Sequence, residues 1–296
     1  MAAQAGAAAN PDASHSAFSI RVRDLDVAYR QFAVFALPGE AVPIALDAAD
    51  RFTMHAVAGT WLDGGHGRWT WRAPHKPGDY SIDIQRSDGA GMHLEAFVMV
   101  PASKVRNGVL NGYRIGRYPR HPRGGLEIYR APPGFIEVTP QLAAVHVSPH
   151  FTLGEFLCKE AGGYPKYLVL RPRLLLKLEE LLAYLGARGI PPGDVHIMSG
   201  YRTPWYNARL GNVEYSRHMW GDAADIYIAS GDASQAAADQ DGLDEYRNSG
   251  LLAADVDELF RKPANAWLKG GIGIYPATRN HPAFVHVDAR GFNARW

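Results

Sequence analysis

The run YSRHMWGDAADIYI at residues 215–228 holds the residue types that metal or acid–base chemistry requires. His218 and Asp225 stand seven positions apart and flank a Trp-Gly turn. The segment AADIYI alternates as a strand does, which places Asp225 and Tyr227 on one face. The pattern therefore predicts that Asp225 points out of a strand while the preceding loop brings His218 toward it.

A second alternating run, FVHVD, lies near the end of the sequence. It places His286 and Asp288 on one strand face, with the intervening valines toward the core. Neighbouring strands could present Asp225 and His286 to a common point, with His218 as a third ligand. Two imidazoles and a carboxylate, with a fourth position left for water, are the ligands of a catalytic zinc ion. Because the chain has twelve histidines, a chance His–Asp pair is the alternative, and His196 is interpreted as structural.

The length, composition and net charge of the chain are those of a globular protein. The 296 residues suffice for two domains, and a composition of 47% apolar and 21% charged residues is neither disordered nor fibrous. A net charge of +1 argues against nucleic acid as a partner, and no apolar run approaches the roughly 18 residues of a transmembrane segment. The single Cys158 cannot form an intrachain disulfide or a zinc–thiolate site. The oligomeric state stays open.

The pattern of elements predicts an α+β protein in two parts. Residues 1–16 are small and polar, which is typical of a flexible leader or of a mature end after removal of an export signal. Residues 17–101 alternate in FSIRVR and YSIDIQ between turn signals, and predict a β-sandwich-like domain. Its tryptophans are interpreted as core, with a ligand-binding platform as the alternative: Trp61, Trp69 and Trp71.

Residues 102–146 are rich in Pro, Gly and Arg and predict a connector. Short strands are expected near 113–118 and 135–138. The arginines suit an anionic polymer, but a solvated linker is the favoured interpretation.

Residues 147–296 predict a mixed α and β domain with a small antiparallel sheet. Thr152 and Glu155 form a capping box that opens a helix, and a leucine-rich helix ends at Gly186. Thr203 is a natural N-cap for a short helix after the strand VHIMS. An acidic, alanine-rich stretch at 231–246, a helix near 251–261 and the strands GIGIY and FVHVD complete the domain.

Three motifs occur in order in this half of the chain: SGYRTPWYN, SRHMWGDAADI and FVHVD. Together they resemble the zinc D-alanyl-D-alanine peptidases of bacterial cell walls. That family includes vancomycin-resistance carboxypeptidases, phage endolysin peptidases and murein endopeptidases of the envelope. The murein endopeptidase branch ends in a segment similar to IYPATRNHPAFVHVDARGFNARW here. The resemblance covers residues 147–296, and the segments before it lie outside.

The resemblance implies that His218, Asp225 and His286 bind Zn²⁺. It also implies that Arg202 holds the substrate carboxylate or stabilises the oxyanion, for which a planar guanidinium is suited. A salt bridge that fixes the SGYR turn is the alternative for Arg202. Ser216 and Tyr201 are the other expected substrate contacts, with a structural turn role open for Ser216.

The position at which the family has its general base carries a different residue in this sequence. Many members carry a catalytic Glu or Asp three residues before the last zinc histidine, and here that residue is Ala283. Asp288 shares the strand face of His286 and is the favoured essential residue, either as the base or as a group that orients a ligand histidine. His281, five residues before His286, is the rival base because some relatives have a catalytic histidine there.

We therefore expect zinc-dependent hydrolysis of peptidoglycan stem peptides or cross-links, as a murein endopeptidase or a D,D- or L,D-carboxypeptidase. Such a substrate implies a periplasmic or cell-envelope location and an export signal outside this chain. The alternative is a non-catalytic wall-binding protein with a degenerate site, which Ala283 favours. Non-haem iron oxygenases also use two histidines and a carboxylate, but they need a further histidine after His286, and none follows.

Overall fold

The computed structural model describes residues 14–47, 49–229 and 249–296. Most of the expected leader and the acidic stretch at 231–246 therefore lie outside the described residues. The first strand begins at His15, so the final two residues of the expected leader are part of a sheet. Helices and strands are mixed along the rest of the chain, which is compatible with the α+β expectation.

Nine strands of the two N-terminal sheets lie among the described residues 15–98. They are β1 (His15–Val22), β2 (Leu25–Tyr29), β3 (Gln31–Ala36), β4 (Ala41–Ala45), β5 (Phe52–Ala56), β6 (Thr60–Asp63), β7 (Arg68–Arg72), β8 (Gly78–Arg86) and β9 (Gly91–Val98). One sheet has the order β2-β1-β4-β7-β6 and the other β3-β9-β8-β5. Strands β3 and β9 pair in parallel, and the remaining neighbours of both sheets are antiparallel.

The two sheets turn alternate side chains into one apolar core, as the period of two requires. Trp71 is fully buried and its indole N–H donates to the Ala58 carbonyl at 3.0 Å. Trp61 and Trp69 meet edge to face with ring centroids 6.4 Å apart. These contacts agree with the interpretation of the three tryptophans as packing residues.

The connector is more compact than a solvated linker. Strand β10 (Val100–Pro101) lies directly before it, and its own elements are β11 (Val109–Leu110), β12 (Tyr113–Arg114), β13 (Gly134–Val138) and α1 (Pro140–Ala143). The Ile115 carbonyl accepts a hydrogen bond from the Trp205 backbone N–H at 3.1 Å, and a Cβ on Gly116 would collide with that backbone. The linker interpretation is therefore wrong for this part of the connector, because its backbone packs directly on the C-terminal half.

The C-terminal half contains the remaining elements. They are β14 (His146–Ser148), β15 (Phe151–Thr152), β16 (Lys166–Leu168), α2 (Pro172–Gly186), β17 (Val195–Ser199), α3 (Pro204–Arg209), β18 (Ala223–Ile228), α4 (Ser249–Arg261), β19 (Gly271–Tyr275), β20 (Phe284–Asp288) and β21 (Ala294–Arg295). The sheet that carries the candidate site has the order β17-β18-β20-β19-β21. Its pairs are antiparallel except for β19 with β21.

Helix α2 forms where the leucine spacing predicts it. Pro172 sits in the first turn, where its missing N–H costs no hydrogen bond, and the leucine face is buried. Lys177 on this helix is also buried, and its ammonium donates to the carbonyls of Leu268 at 3.1 Å and Asp288 at 2.8 Å. Burial lowers the pKa of Lys177 to about 8. The helix thus holds the end of β20 in place.

The capping box of Thr152 and Glu155 is present, but it opens a single 3₁₀ turn, Leu153–Phe156, rather than an α-helix. Leu157 is already extended, which ends the turn. Thr203 caps α3 as expected, since its side chain accepts from the Tyr206 N–H. Within the described part of the chain, none of the helices combines the length and the apolar character needed to cross a membrane.

Gly221 ends the 3₁₀ turn Arg217–Trp220 with a left-handed φ of 69°, and a Cβ there would collide with the Val169 carbonyl. Gly211 has the same φ with open space around it. We expect Gly211→Ala to lower the free energy of unfolding by about 1 kcal/mol through backbone strain alone. Gly221→Ala adds the collision and should cost about 3 kcal/mol or more. Equal losses in denaturant titrations of the two variants would contradict the close approach at Gly221.

Candidate metal centre

Three potential ligands come together on one face of the sheet. Strands β18 and β20 pair so that Asp225 lies directly opposite His286. The 3₁₀ turn Arg217–Trp220 carries His218, and the left-handed Gly221 returns the chain into β18. All three side chains are buried, with exposed fractions of 1% for His218, 2% for Asp225 and 5% for His286. The strand alternation thus placed these residues as the sequence predicts.

The ligand atoms form a nearly equilateral triangle. His218 Nε2 lies 3.1 Å from Asp225 Oδ1 and 3.0 Å from His286 Nδ1, and His286 Nδ1 lies 3.0 Å from the same Asp225 oxygen. A tetrahedral ion with bonds of about 2.0–2.1 Å keeps its ligand atoms about 3.3 Å apart. The spacing of the three atoms therefore suits a small divalent cation.

The other nitrogen of each histidine decides the tautomer. His218 Nδ1 lies 2.6 Å from the Gly200 carbonyl, which can only accept, so this nitrogen carries the proton. His286 Nε2 lies 3.2 Å from the Asp288 carboxylate and donates to it. When both rings are neutral, His218 Nε2 and His286 Nδ1 therefore carry no hydrogen and each has a free lone pair. Three lone pairs converge with no proton among them, which is the electronic requirement of a metal site.

The electrostatics follow from burial and from the ion pairs. Burial lowers the pKa of His218, which favours the neutral ligand form. Burial would raise the pKa of Asp225, but His218 and His286 hold it well below its usual range. Burial lowers the pKa of His286 as well, yet Asp225 and Asp288 together raise it. A proton on His286 therefore competes with a metal ion for the same position.

Asp288 lies behind His286 rather than beside the triangle. It is fully buried, and Oδ1 accepts from the Gly271 backbone N–H at 2.8 Å. Arg290 grips the same carboxylate, with Nε 2.9 Å from Oδ1 and Nη2 2.5 Å from Oδ2. Burial opposes ionisation, but hydrogen bonds from His286 and Arg290 hold the pKa of Asp288 well below its usual range. This position departs from the expectation of a base, because the carboxylate faces the far side of the His286 ring.

Arg202 is turned toward the ligand set. Its Nη2 hydrogen-bonds Asp225 Oδ2, and its Nε donates to Ser199 Oγ at 3.0 Å. The guanidinium therefore orients the carboxylate of Asp225 in the way that a salt bridge fixing this turn would. These two contacts use the Nε–Nη2 edge of the guanidinium, so a substrate would meet its remaining N–H groups, on Nη1 and Nη2.

Two of the expected substrate contacts have other surroundings. Tyr201 is 1% exposed, and its hydroxyl lies 3.0 Å from the Tyr118 hydroxyl, so its side chain does not reach a substrate in this structure. Burial raises the pKa of Tyr201 well above its ordinary value. Ser216 is half-buried at the start of the 3₁₀ turn that carries His218, and its side chain makes no capping hydrogen bond there.

His281 is half-buried on the loop before β20. Its Nδ1 donates to the Pro282 carbonyl at 2.8 Å, so Nε2 is the acceptor in the neutral ring. The ring stands edge-on to Phe284 with centroids 5.1 Å apart. Within the described part of the chain His281 Nε2 makes no hydrogen bond, whereas both carboxylate oxygens of Asp288 are engaged.

The connector braces the turn that carries His218. The Tyr118 hydroxyl donates to the Met219 carbonyl at 2.8 Å, and the Trp220 indole N–H donates to the Arg130 carbonyl at 2.9 Å. Arg217 is 1% exposed and reaches the Ile128 carbonyl at 3.0 Å. These contacts join the connector to both residues that follow His218. The site is therefore not supported by residues 147–296 alone.

Several of these supporting residues were missed in the sequence. The spacing H-x-D-x-R in FVHVDAR could have identified Arg290 as the partner of Asp288. The buried pair of Arg217 with Asp222, joined at 2.9 Å and 2.5 Å, flanks the turn in SRHMWGD and carried a similar local signal. Tyr118 had none, because its partners lie 83 and 101 residues away.

A mixed α and β domain with buried histidines and a carboxylate around one point can hold a catalytic metal ion, as metal-dependent hydrolases do. The family model Peptidase M15 matches residues 149–247. This confirms the resemblance of the C-terminal half to the zinc D-alanyl-D-alanine peptidases and supports a peptidase. The matched range includes Arg202, His218 and Asp225, whereas His286 enters the site through its pairing with β18. No curated protein matches the chain.

The triangle should bind one divalent metal ion per chain. Titration of metal-free protein with Zn²⁺ should give a stoichiometry of one, and His218→Ala should weaken binding by about 100-fold or more because a ligand is lost. His196→Ala is the matched control, since His196 hydrogen-bonds the Ala229 carbonyl and packs against the Tyr227 ring, away from the triangle. Unchanged affinity in His218→Ala would remove the site.

The bracing by the connector can be tested with one hydroxyl. Tyr118→Phe leaves the Met219 carbonyl and the Tyr201 hydroxyl without this partner, so we expect about 1–3 kcal/mol lower stability and weaker metal binding. Tyr80→Phe is the control, because the Tyr80 hydroxyl bonds the Lys76 carbonyl at an exposed position. Thermal unfolding with and without metal measures both effects. Parental metal affinity in Tyr118→Phe would show that the connector does not support the site.

Proposed function

We propose that the protein is a zinc metallopeptidase that hydrolyses peptide bonds in peptidoglycan stem peptides or their cross-links. The observation that carries the proposal is the buried triangle of His218 Nε2, Asp225 Oδ1 and His286 Nδ1, whose atoms lie 3.0–3.1 Å apart. The match of this half of the chain to Peptidase M15 supports the reaction class. Two imidazoles and one carboxylate suit zinc, and no thiolate is required.

When bound, zinc polarises a scissile carbonyl and lowers the pKa of a coordinated water toward about 7. Neighbouring groups fix the orientation of the two ligand histidines. The Gly200 carbonyl fixes the His218 ring, and Asp288 fixes the His286 ring. Such partners keep ligands in the correct tautomer and orientation.

Arg202 presents N–H groups beside the ligand set. One edge of its guanidinium is engaged by Asp225 and Ser199, and the side chain is 15% exposed. The remaining N–H groups lie beside the ligand set, where they can donate to the oxygen that gains charge as the peptide carbonyl is attacked. The same N–H groups can hold a terminal carboxylate, so Arg202 is compatible with an endopeptidase and with a carboxypeptidase.

We assign proton transfer to His281 and ring orientation to Asp288. The lone pair of His281 Nε2 is unused, whereas Asp288 is held by His286, Gly271 and Arg290. A neutral imidazole nitrogen can take a proton from an attacking water, as a general base does. This division of roles accounts for a site that has Ala283 where many relatives carry a carboxylate.

The two N-terminal sheets fit a module that positions the peptidase domain on a polymer, and a periplasmic or cell-envelope location follows from such a substrate. The second candidate function is a wall-binding protein with a degenerate site, which only Ala283 favours. The complete ligand triangle argues against it, because unused buried ligands of this kind are costly to keep.

Purified disaccharide–peptide fragments of peptidoglycan test the proposal with zinc-loaded protein. Cross-linked fragments should be cleaved, and His281→Ala should lower turnover by about 10²- to 10⁴-fold with unchanged zinc content. Asp288→Asn should instead weaken zinc binding by about 10- to 100-fold, and added zinc should restore part of the rate. His55→Ala, at an exposed position of β5, is the control.

Two results would contradict the assignment. A large loss in Asp288→Asn at full zinc content, with His281→Ala nearly silent, would make Asp288 the base. Binding of the fragments without cleavage by the zinc-loaded parent protein would favour the wall-binding alternative.

A further inference from the structure

The face of the sheet that carries the metal ligands continues outward as a row of aromatic rings. Strand pairing places Gly273 opposite His286 and Tyr275 opposite Phe284. Side chains two residues apart on a strand share a face, so Tyr275 and Phe284 lie on the ligand face. Trp296 follows β21 and completes the row. None of these aromatic residues is used in the chemistry assigned above.

The indole of Trp296 lies lengthwise on β19. A Cβ on Gly271 would lie 2.9 Å from Cη2 of the indole, and a Cβ on Gly273 would lie 2.5 Å from its Nε1. Both ends of the ring system therefore rest on strand positions that have no side chain. The segment GIGIY puts two glycines on one face, and this spacing makes room for the ring.

The row is fixed in position and open on its outer side. The Trp296 indole N–H donates to the Tyr275 hydroxyl at 2.7 Å, and the Tyr275 ring stacks on Phe284 at 4.5 Å with an interplanar angle of 7°. Trp296 is nevertheless 51% exposed and Tyr275 36% exposed. The atoms of Trp296 nearest the two glycines are Nε1 and Cη2, and about half of the side chain is left open to solvent.

The open face begins next to a metal ligand. The ring centroids of Trp296 and His286 are 5.1 Å apart, so a molecule stacked on Trp296 would extend directly into the metal site. Trp296 and Tyr275 offer flat apolar surface with a hydroxyl at the edge. The side-chain charge in contact with the row is the Arg290 guanidinium, 5.2 Å from the Trp296 ring centre and bound to Asp288.

We propose that Trp296 and Tyr275 form a subsite for a pyranose ring of the substrate's glycan part, in a site that discriminates glycan-linked from free stem peptides. The ring C–H groups of a pyranose carry partial positive charge and pack on the negative face of an aromatic ring. Stem peptides consist mainly of small and charged residues, which gain little from a flat aromatic surface. The proposal rests on the proposed function for the identity of the reacting bond.

The test compares two substrates that differ only in the sugar. Zinc-loaded parent protein should cleave a disaccharide-linked peptide with a KM about tenfold lower than that of the same peptide without sugar. Trp296→Leu should remove this difference by raising KM for the sugar-linked substrate alone. Trp296→Phe keeps an aromatic face and should retain most of it. Trp267→Leu is the matched control, since Trp267 is 42% exposed outside the row.

Zinc content is measured in every variant, because Trp296 also packs on His286. Equal loss on both substrates at full zinc content, or no difference between the substrates in the parent protein, would overturn the subsite. A β-1,4-linked N-acetylglucosamine disaccharide provides a readout independent of cleavage. Its binding, followed by saturation-transfer NMR, should be lost in Trp296→Leu and kept in Trp267→Leu. If the parent cleaves neither substrate but binds the disaccharide through Trp296, the proposed function fails and the subsite stands; absence of binding as well would overturn both.

Discussion

Three lone pairs held about 3 Å apart inside a buried sheet face repel one another unless a cation or a proton lies between them. His218 Nε2, Asp225 Oδ1 and His286 Nδ1 are in this situation, at separations of 3.0–3.1 Å. Low local polarity makes the repulsion stronger than it would be in water. The surrounding structure can be understood as the set of contacts that keeps these atoms together and determines which nitrogen of each ring is free.

Those contacts come from the backbone, from neighbouring side chains and from helix α2. The Gly200 carbonyl and Asp288 set the tautomers, and Arg290 holds Asp288 in turn. Lys177 reaches from α2 to the backbone of Asp288, so the leucine-rich helix is joined to the ligand strand by a buried charge as well as by apolar packing. A series of hydrogen-bonded groups of this kind resists the small shifts that would separate the ligands.

Local patterns in the sequence predict the three ligand residues, but they do not predict the residues that hold the ligands in position. Alternation in AADIYI and FVHVD predicted the faces of Asp225 and His286, and the Trp-Gly turn predicted the return of His218; the strand pairing agrees. Tyr118 reaches the site through contacts that are distant in sequence, which a local pattern in the connector does not reveal. The position of Asp288 behind the ring depends on χ angles and on Arg290, neither of which a period of two describes. The domain boundaries stay predictions.

Binding of one zinc ion by His218, Asp225 and His286 is tested most directly by a crystal structure of zinc-soaked protein, with anomalous data collected at the zinc absorption edge. We expect a single strong peak per chain at about 2.0–2.2 Å from His218 Nε2, an Asp225 oxygen and His286 Nδ1. We also expect that His286 Nε2 still faces Asp288. A peak elsewhere, or ligation of His286 through Nε2, would contradict the arrangement from which the function is inferred.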